Sequence, residues 1–156
     1  MTPAINLAKK LKLNFTIHEY AHDPASQSYG LEAAEKMGIS PANVFKTLVV
    51  QDDNDRLAVA ILPVEKLLNL KKIAKAIGSK KAVMADPKLV ERSTGYVLGG
   101  VSPLGQKKRL PTVIDISAKD LTTIFVSGGR RGLEIELPPN DLAKTLTANF
   151  SDITQD

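Results

Sequence analysis

Leu57–Leu62 is an unbroken apolar run, and a run of that kind predicts a strand covered on both faces. Just before it, Val44–Gln51 reads as a second strand, and Asp52-Asp53-Asn54-Asp55 reads as the turn between the two. The pair predicts a hairpin at the centre of the fold. Helices are expected around it. Thr2 and Pro3 suit an N-cap and first turn for a helix over Ala4–Lys12. Tyr29–Met37 stops at Gly38, a good residue for a helix C-terminus. Leu70–Ile77 is a basic helical stretch closed by Gly78, and Asp86-Pro87 starts a helix running to Arg92. A last helix over Asp141–Leu146 is expected to finish the chain.

Further strands are predicted at Phe15–Tyr20, Ala82–Ala85 and Thr112–Ile116, with a hairpin of Thr123–Val126 and Leu133–Leu137 around SGGRRG. Gly95–Pro111 is rich in Gly and Pro and reads as a long ordered loop, a class that is often functional. The expectation is a mixed α/β fold: a single compact domain over residues 1–156, with a mixed, mostly antiparallel, barrel-like sheet and surrounding helices.

Composition narrows the chemistry. The 156 residues are 43% hydrophobic, enough for a real core. There is no cysteine, so the chain itself supplies no thiolate ligand, disulfide or thiol nucleophile. No apolar stretch approaches the ~20 residues of a membrane span, and the N-terminus has no signal-like apolar segment. A cytoplasmic protein without a membrane partner is expected. The net charge of +4 admits phosphate-rich partners, while 4% aromatics and no Trp supply few stacking platforms for single strands.

Two motifs tempt and fail. His18-Glu19-Tyr20-Ala21-His22 spells H-E-x-x-H, but zinc needs both histidines on one helical turn. These residues continue a strand, where four positions span ~13 Å. They read as a strand end with two surface or loop histidines, and no metal is expected. Gly100–Gly105 has the glycine spacing of a phosphate loop, yet Gln106 and Lys107 follow where Lys and Ser/Thr are required.

Lys46 is the residue out of place. Alternation puts it on one strand face with Val44, Leu48 and Val50. A lysine there either snorkels to solvent or meets an anion in a cleft. Two glycine loops could complete such a cleft. Gly99-Gly100-Val101-Ser102-Pro103 could let a substrate approach the main chain, and Ser127-Gly128-Gly129-Arg130-Arg131-Gly132 could offer N–H groups as an anion nest. Ordinary turn geometry explains either loop taken alone. Lys107, Lys108, Arg130 and Arg131 flank these loops and are candidate phosphate contacts.

The strings VFKTLVV, ADPKLVERSTGYVLGGVSPLGQKKRLPTVID and VSGGRRGLEIEL resemble the bacterial free-standing Cys-tRNA(Pro) deacylases of the YbaK/EbsC type. These belong to the superfamily of editing domains carried by many prolyl-tRNA synthetases, and the likeness runs along almost the whole chain. It implies an aminoacyl-tRNA deacylase without a cofactor, acting on the acceptor end of misacylated tRNA. A transient complex with prolyl-tRNA synthetase is a candidate, and a monomer is expected in isolation. It implies that the substrate's own thiol attacks its ester, with Lys46 and the two loops positioning the aminoacyl end. The family's acidic position falls on Glu134, and Tyr20 lies on the cleft side. By alternation with Leu133 and Ile135, Glu134 could equally be an ordinary solvent-facing carboxylate. Two alternatives stay open: water attack on another small misacylated residue such as Ala-tRNA(Pro), and a non-catalytic module that binds tRNA or synthetase.

Overall fold

A computed structural model of the chain describes residues 1–26 and 28–156. The central hairpin is there. Strand β2 (Phe45–Asp52) pairs antiparallel with β3 (Leu57–Pro63), setting Lys46 opposite Leu62. Successive residues of β3 feed different cores. Val59 and Ile61 pack on one side with Ile5, Ile114, Ile135 and Leu142, while Ala58, Ala60 and Leu62 pack on the other with Ile73, Val113 and Ile153. The apolar run is unbroken because both faces are covered.

Around it lie β1 (Thr16–Glu19), β4 (Leu67–Leu68), β5 (Ala82–Met84), β6 (Thr112–Asp115), β7 (Ile124–Ser127), β8 (Leu133–Leu137), β9 (Asn149–Ser151) and β10 (Thr154–Gln155). The helices are α1 (Pro3–Lys10), α2 (Tyr29–Met37), α3 (Leu70–Ala76), α4 (Pro87–Thr94) and α5 (Pro139–Leu146). Thr2 caps α1, accepting from the Ile5 amide, and Gly38 ends α2 in the left-handed conformation.

The sheet is mixed and mostly antiparallel, as expected, but it does not close into a barrel. Among the described residues the strands form three sheets, ordered β5-β2-β3-β6-β9, β1-β8-β7 and β10-β4. The first two meet at one bridge between Val44 and Phe125. The chain also does not finish at its last helix: β9 joins β6 in parallel, and β10 pairs with β4. Ile116 leaves the predicted strand for a 3-10 turn over Ile116–Asp120.

The long loop is ordered without regular elements. Tyr96 spans it, its buried phenol donating to the Leu104 carbonyl at 2.6 Å. Burial pushes that phenol up to about 12, so it stays a donor.

Candidate active site

A cleft of about 300 Å³ opens where the start of β2 meets the three-stranded sheet. Lys46 and Val44 line one wall, and Tyr20, Ser127 and Glu134 line another. The long loop contributes Leu98, Gly99 and Val101, and Tyr29 comes from the first turn of α2. Residues far apart in sequence meet because β8 lies between β1 and β7. In its register Glu134 faces both His18 and Ser127.

Lys46 is half-buried, and none of the ion pairs among the described residues includes it. Burial alone lowers its pKa from the usual lysine value, so the ammonium is incompletely solvated and open to an anion. Next to it Thr47 has a buried hydroxyl with no partner among the described residues.

Glu134 is not solvent-facing. It is 7% exposed. Alternation does place it opposite Leu133 and Ile135, but its own face is roofed by the cleft walls. Burial pushes its carboxyl up to about 8, against an ordinary value of 4.5. Tyr20 sits near enough to feel it. Burial first, and then the Glu134 charge, raise the Tyr20 phenol, against a lowering contribution from the Gly132 backbone.

The loops act differently from the sequence expectation. The Gly128 and Gly129 N–H groups are already used, donating to the Leu133 carbonyl and the Ser127 hydroxyl. Those two N–H groups are not free for an anion, and neither glycine lines the cleft. Gly100 also stays outside it, and a Cβ there would lie 3.1 Å from the Arg130 Cα. Ser102 is fully buried, its hydroxyl accepting from the Leu104 amide, and Pro103 lines a separate groove beside Leu11 and Lys144. Gly99 alone of these glycines touches the cleft. Its φ is +86°, and a Cβ there would lie 2.6 Å from the Tyr29 ring and 2.7 Å from Arg131 Nε.

The four candidate phosphate contacts divide. Arg130 and Arg131 line the cleft mouth, Arg131 stacking on Tyr29 with its guanidinium carbon 3.7 Å from the ring centre. Lys107 and Lys108 do not reach it. The Lys107 side chain lies beside Gly95, and Lys108 lines the separate groove.

The two histidines turn apart. His18 Nε2 meets Glu136 at 2.9 Å from within β1, and His22 Nδ1 meets Glu32 at 2.6 Å from the loop that follows, so both are paired and partly buried. No cluster of potential metal ligands exists among the described residues.

Tyr29, Leu98 and Thr47 were not singled out in the sequence. One signal was available for Tyr29: it lies four residues before Ala33, on the buried face of α2. Thr47, a polar residue inside an apolar strand, gave another.

Residues 23–145 match the family model described as the aminoacyl-tRNA editing domain. The chain is 37% identical over 98% of its length, and 93% of the relative's, to an Enterococcus faecalis protein named "Putative Cys-tRNA(Pro)/Cys-tRNA(Cys) deacylase EbsC". It is 26% identical over 62% of its length to a Brachyspira hyodysenteriae proline–tRNA ligase, covering 17% of that enzyme. A solved structure described as "a putative trans-editing enzyme for prolyl tRNA synthetase" shares the fold, with a TM-score of 0.84, 22% identity, and coverage of 100% of this chain and 99% of that one.

Proposed function

Because the chain belongs to the aminoacyl-tRNA editing domain family, we propose that it removes cysteine from misacylated Cys-tRNA(Pro). The observation that carries this reading is Lys46, a half-buried cation without an anionic partner among the described residues, lining a cleft of amino-acid size. It suits the terminal phosphate or the ester oxygen of an aminoacyl end. Cysteine and proline are close in size, and a small pocket separates such pairs by only ~1–3 kcal/mol, so a second, hydrolytic site is needed.

In this reading the nucleophile comes from the substrate, in keeping with a chain that has no thiol of its own and a cleft lined by no histidine among the described residues. Its thiol, with a pKa of ~8.5, attacks its own ester carbonyl. The carbon–sulfur bond forms, the ribose oxygen leaves, and a thiolactone is released that water opens to cysteine. The protein supplies proximity and orientation, and Arg130 and Arg131 meet the acceptor end at the cleft mouth. It works in the cytoplasm alongside translation. The Enterococcus relative's name covers two tRNAs, which supports loose reading of the tRNA body. A transient complex with prolyl-tRNA synthetase then confers proline-tRNA selectivity.

The test is a panel of Cys-, Ser- and Ala-tRNA(Pro) with Cys-tRNA(Cys), scoring free amino acid and thiolactone. Both cysteinyl tRNAs should be cleared within about tenfold of each other, and the two thiol-free substrates should resist. Equal release of Ala or Ser would replace this reading with water attack.

A further inference from the structure

Lys46 and Glu134 line the same cleft from different sheets, yet neither neutralises the other. Neither side chain takes part in an ion pair or a side-chain hydrogen bond among the described residues, and burial pushes each toward its neutral form. Buried polar side chains normally have partners, and a lone buried acid beside a cavity is an exception that calls for one. The Lys46 ammonium is matched by the substrate's anionic end. Nothing yet matches Glu134.

We propose that Glu134, buried in the wall of the cleft that Lys46 also lines, is a catalytic residue of the editing reaction, whose carboxyl relays the proton from the cysteinyl thiol to the departing ribose oxygen. The proposal rests on the Cys-tRNA reading above. Sulfur and leaving oxygen are bonded to the same carbon during the attack, and the two carboxyl oxygens are likewise bonded to one carbon, so one acid can bridge both. The thiol proton passes to the carbonyl oxygen of Glu134 as the carbon–sulfur bond forms. The hydroxyl proton of Glu134 passes to the ribose oxygen as the carbon–oxygen bond breaks. Glu134 ends neutral, with its two oxygens exchanged, and no external acid or base is consumed.

The surroundings keep this acid protonated. Burial holds it at about 8, close to the ~8.5 of a free thiol, and near-matched pKa values favour fast transfer. Around it stand Tyr20 after β1, His18 and Glu136 on its own sheet face, Lys46 on β2, and Arg130 and Arg131 at the mouth. His18 and Glu136 bond to each other, Arg131 stacks on Tyr29, and Arg130 reaches toward Glu19. Glu32, near Tyr20, is bound to His22 and the Asp23 amide. Each of these is engaged elsewhere, apart from Tyr20, whose raised phenol stays neutral, and Lys46, which awaits substrate.

The test compares wild type, Glu134→Gln and Glu134→Asp on Cys-tRNA(Pro) from pH 6 to 9, with uncatalysed ester loss subtracted and melting temperatures confirming the fold. Wild-type turnover should be flat to about pH 8 and fall above it as the acid ionises. Glu134→Gln keeps the shape and hydrogen bonding but cannot relay a proton. It should lose about 100-fold at pH 7 and recover about tenfold per pH unit toward 8.5 as the thiol ionises by itself. Glu134→Asp should retain more activity than the amide. A Gln variant near wild-type rate, or one slowed equally at every pH, would overturn the relay and leave the substrate assignment standing. A folded wild type that cleared no Cys-tRNA would overturn both.

Discussion

Asp52 and Glu134 are both buried carboxyls, yet hydrogen bonds hold the first at about 2 and burial pushes the second up to about 8. Asp52 closes β2 at the end away from the cleft. One of its oxygens accepts from the Asn54 and Arg56 amides at 2.9 Å each, and the other accepts from Ser79 Oγ at 2.7 Å and Arg56 Nε at 3.1 Å. The Ser79 hydrogen bond is the largest cause of its low pKa. Glu134 has burial without partners. The turn end of the hairpin is finished within the fold, whereas at the cleft end the buried Thr47 hydroxyl has no partner and neither Lys46 nor Glu134 enters an ion pair among the described residues. Unsatisfied polar groups are destabilising, and at a cleft a ligand can complete them.

That contrast can be broken at either end. Asp52→Ala should lower the melting temperature most, by about 5 °C, because four donors lose their acceptor. The Asp52 pKa is depressed in the fold, so its stabilisation is full above the ordinary 3.8 and disappears as pH falls through about 2. Melts of wild type and variant should therefore converge in acid, and a constant gap would show that the charge is not what stabilises the turn. Glu134→Gln should act the other way. A carboxyl raised from 4.5 to about 8 makes the fold progressively less stable as pH climbs through that window. Removing the ionisable group should raise the melting temperature, by about 3 °C at pH 8, with little gain at pH 5. A loss at pH 8 would mean that the acid has a structural partner after all.

Much of the frame was readable from residues alone. The β2–β3 hairpin follows from its apolar run, and Lys46 was conspicuous as a charge on the wrong face. What escaped depends on the tertiary surroundings. Alternation assigned Glu134 to the face opposite Leu133, but it cannot say that α2 and the two loops roof that face. Glycine spacing marked Ser127–Gly129 as a tight loop, but it cannot show that the N–H groups are already taken by Leu133 and Ser127. In the sequence Gly99–Pro103 reads as one unit, whereas the backbone turns it so that Gly99 and Val101 line the cleft and Ser102 serves the interior. The short strands β9 and β10 have too few residues for a periodic signal and exist only because β6 and β4 offer them an edge.

Whether the cleft end is left incomplete for a substrate is probed most directly by Lys46→Ala, with turnover and melting measured on one sample. Lys46 is half-buried and unpaired, and burial depresses its pKa, so the fold gains nothing from its charge. Deacylation of Cys-tRNA(Pro) should fall by about 100-fold or more, with the melting temperature unchanged or slightly higher. Wild-type turnover in the variant would contradict the account, and so would a lost activity that came with a collapsed melting temperature.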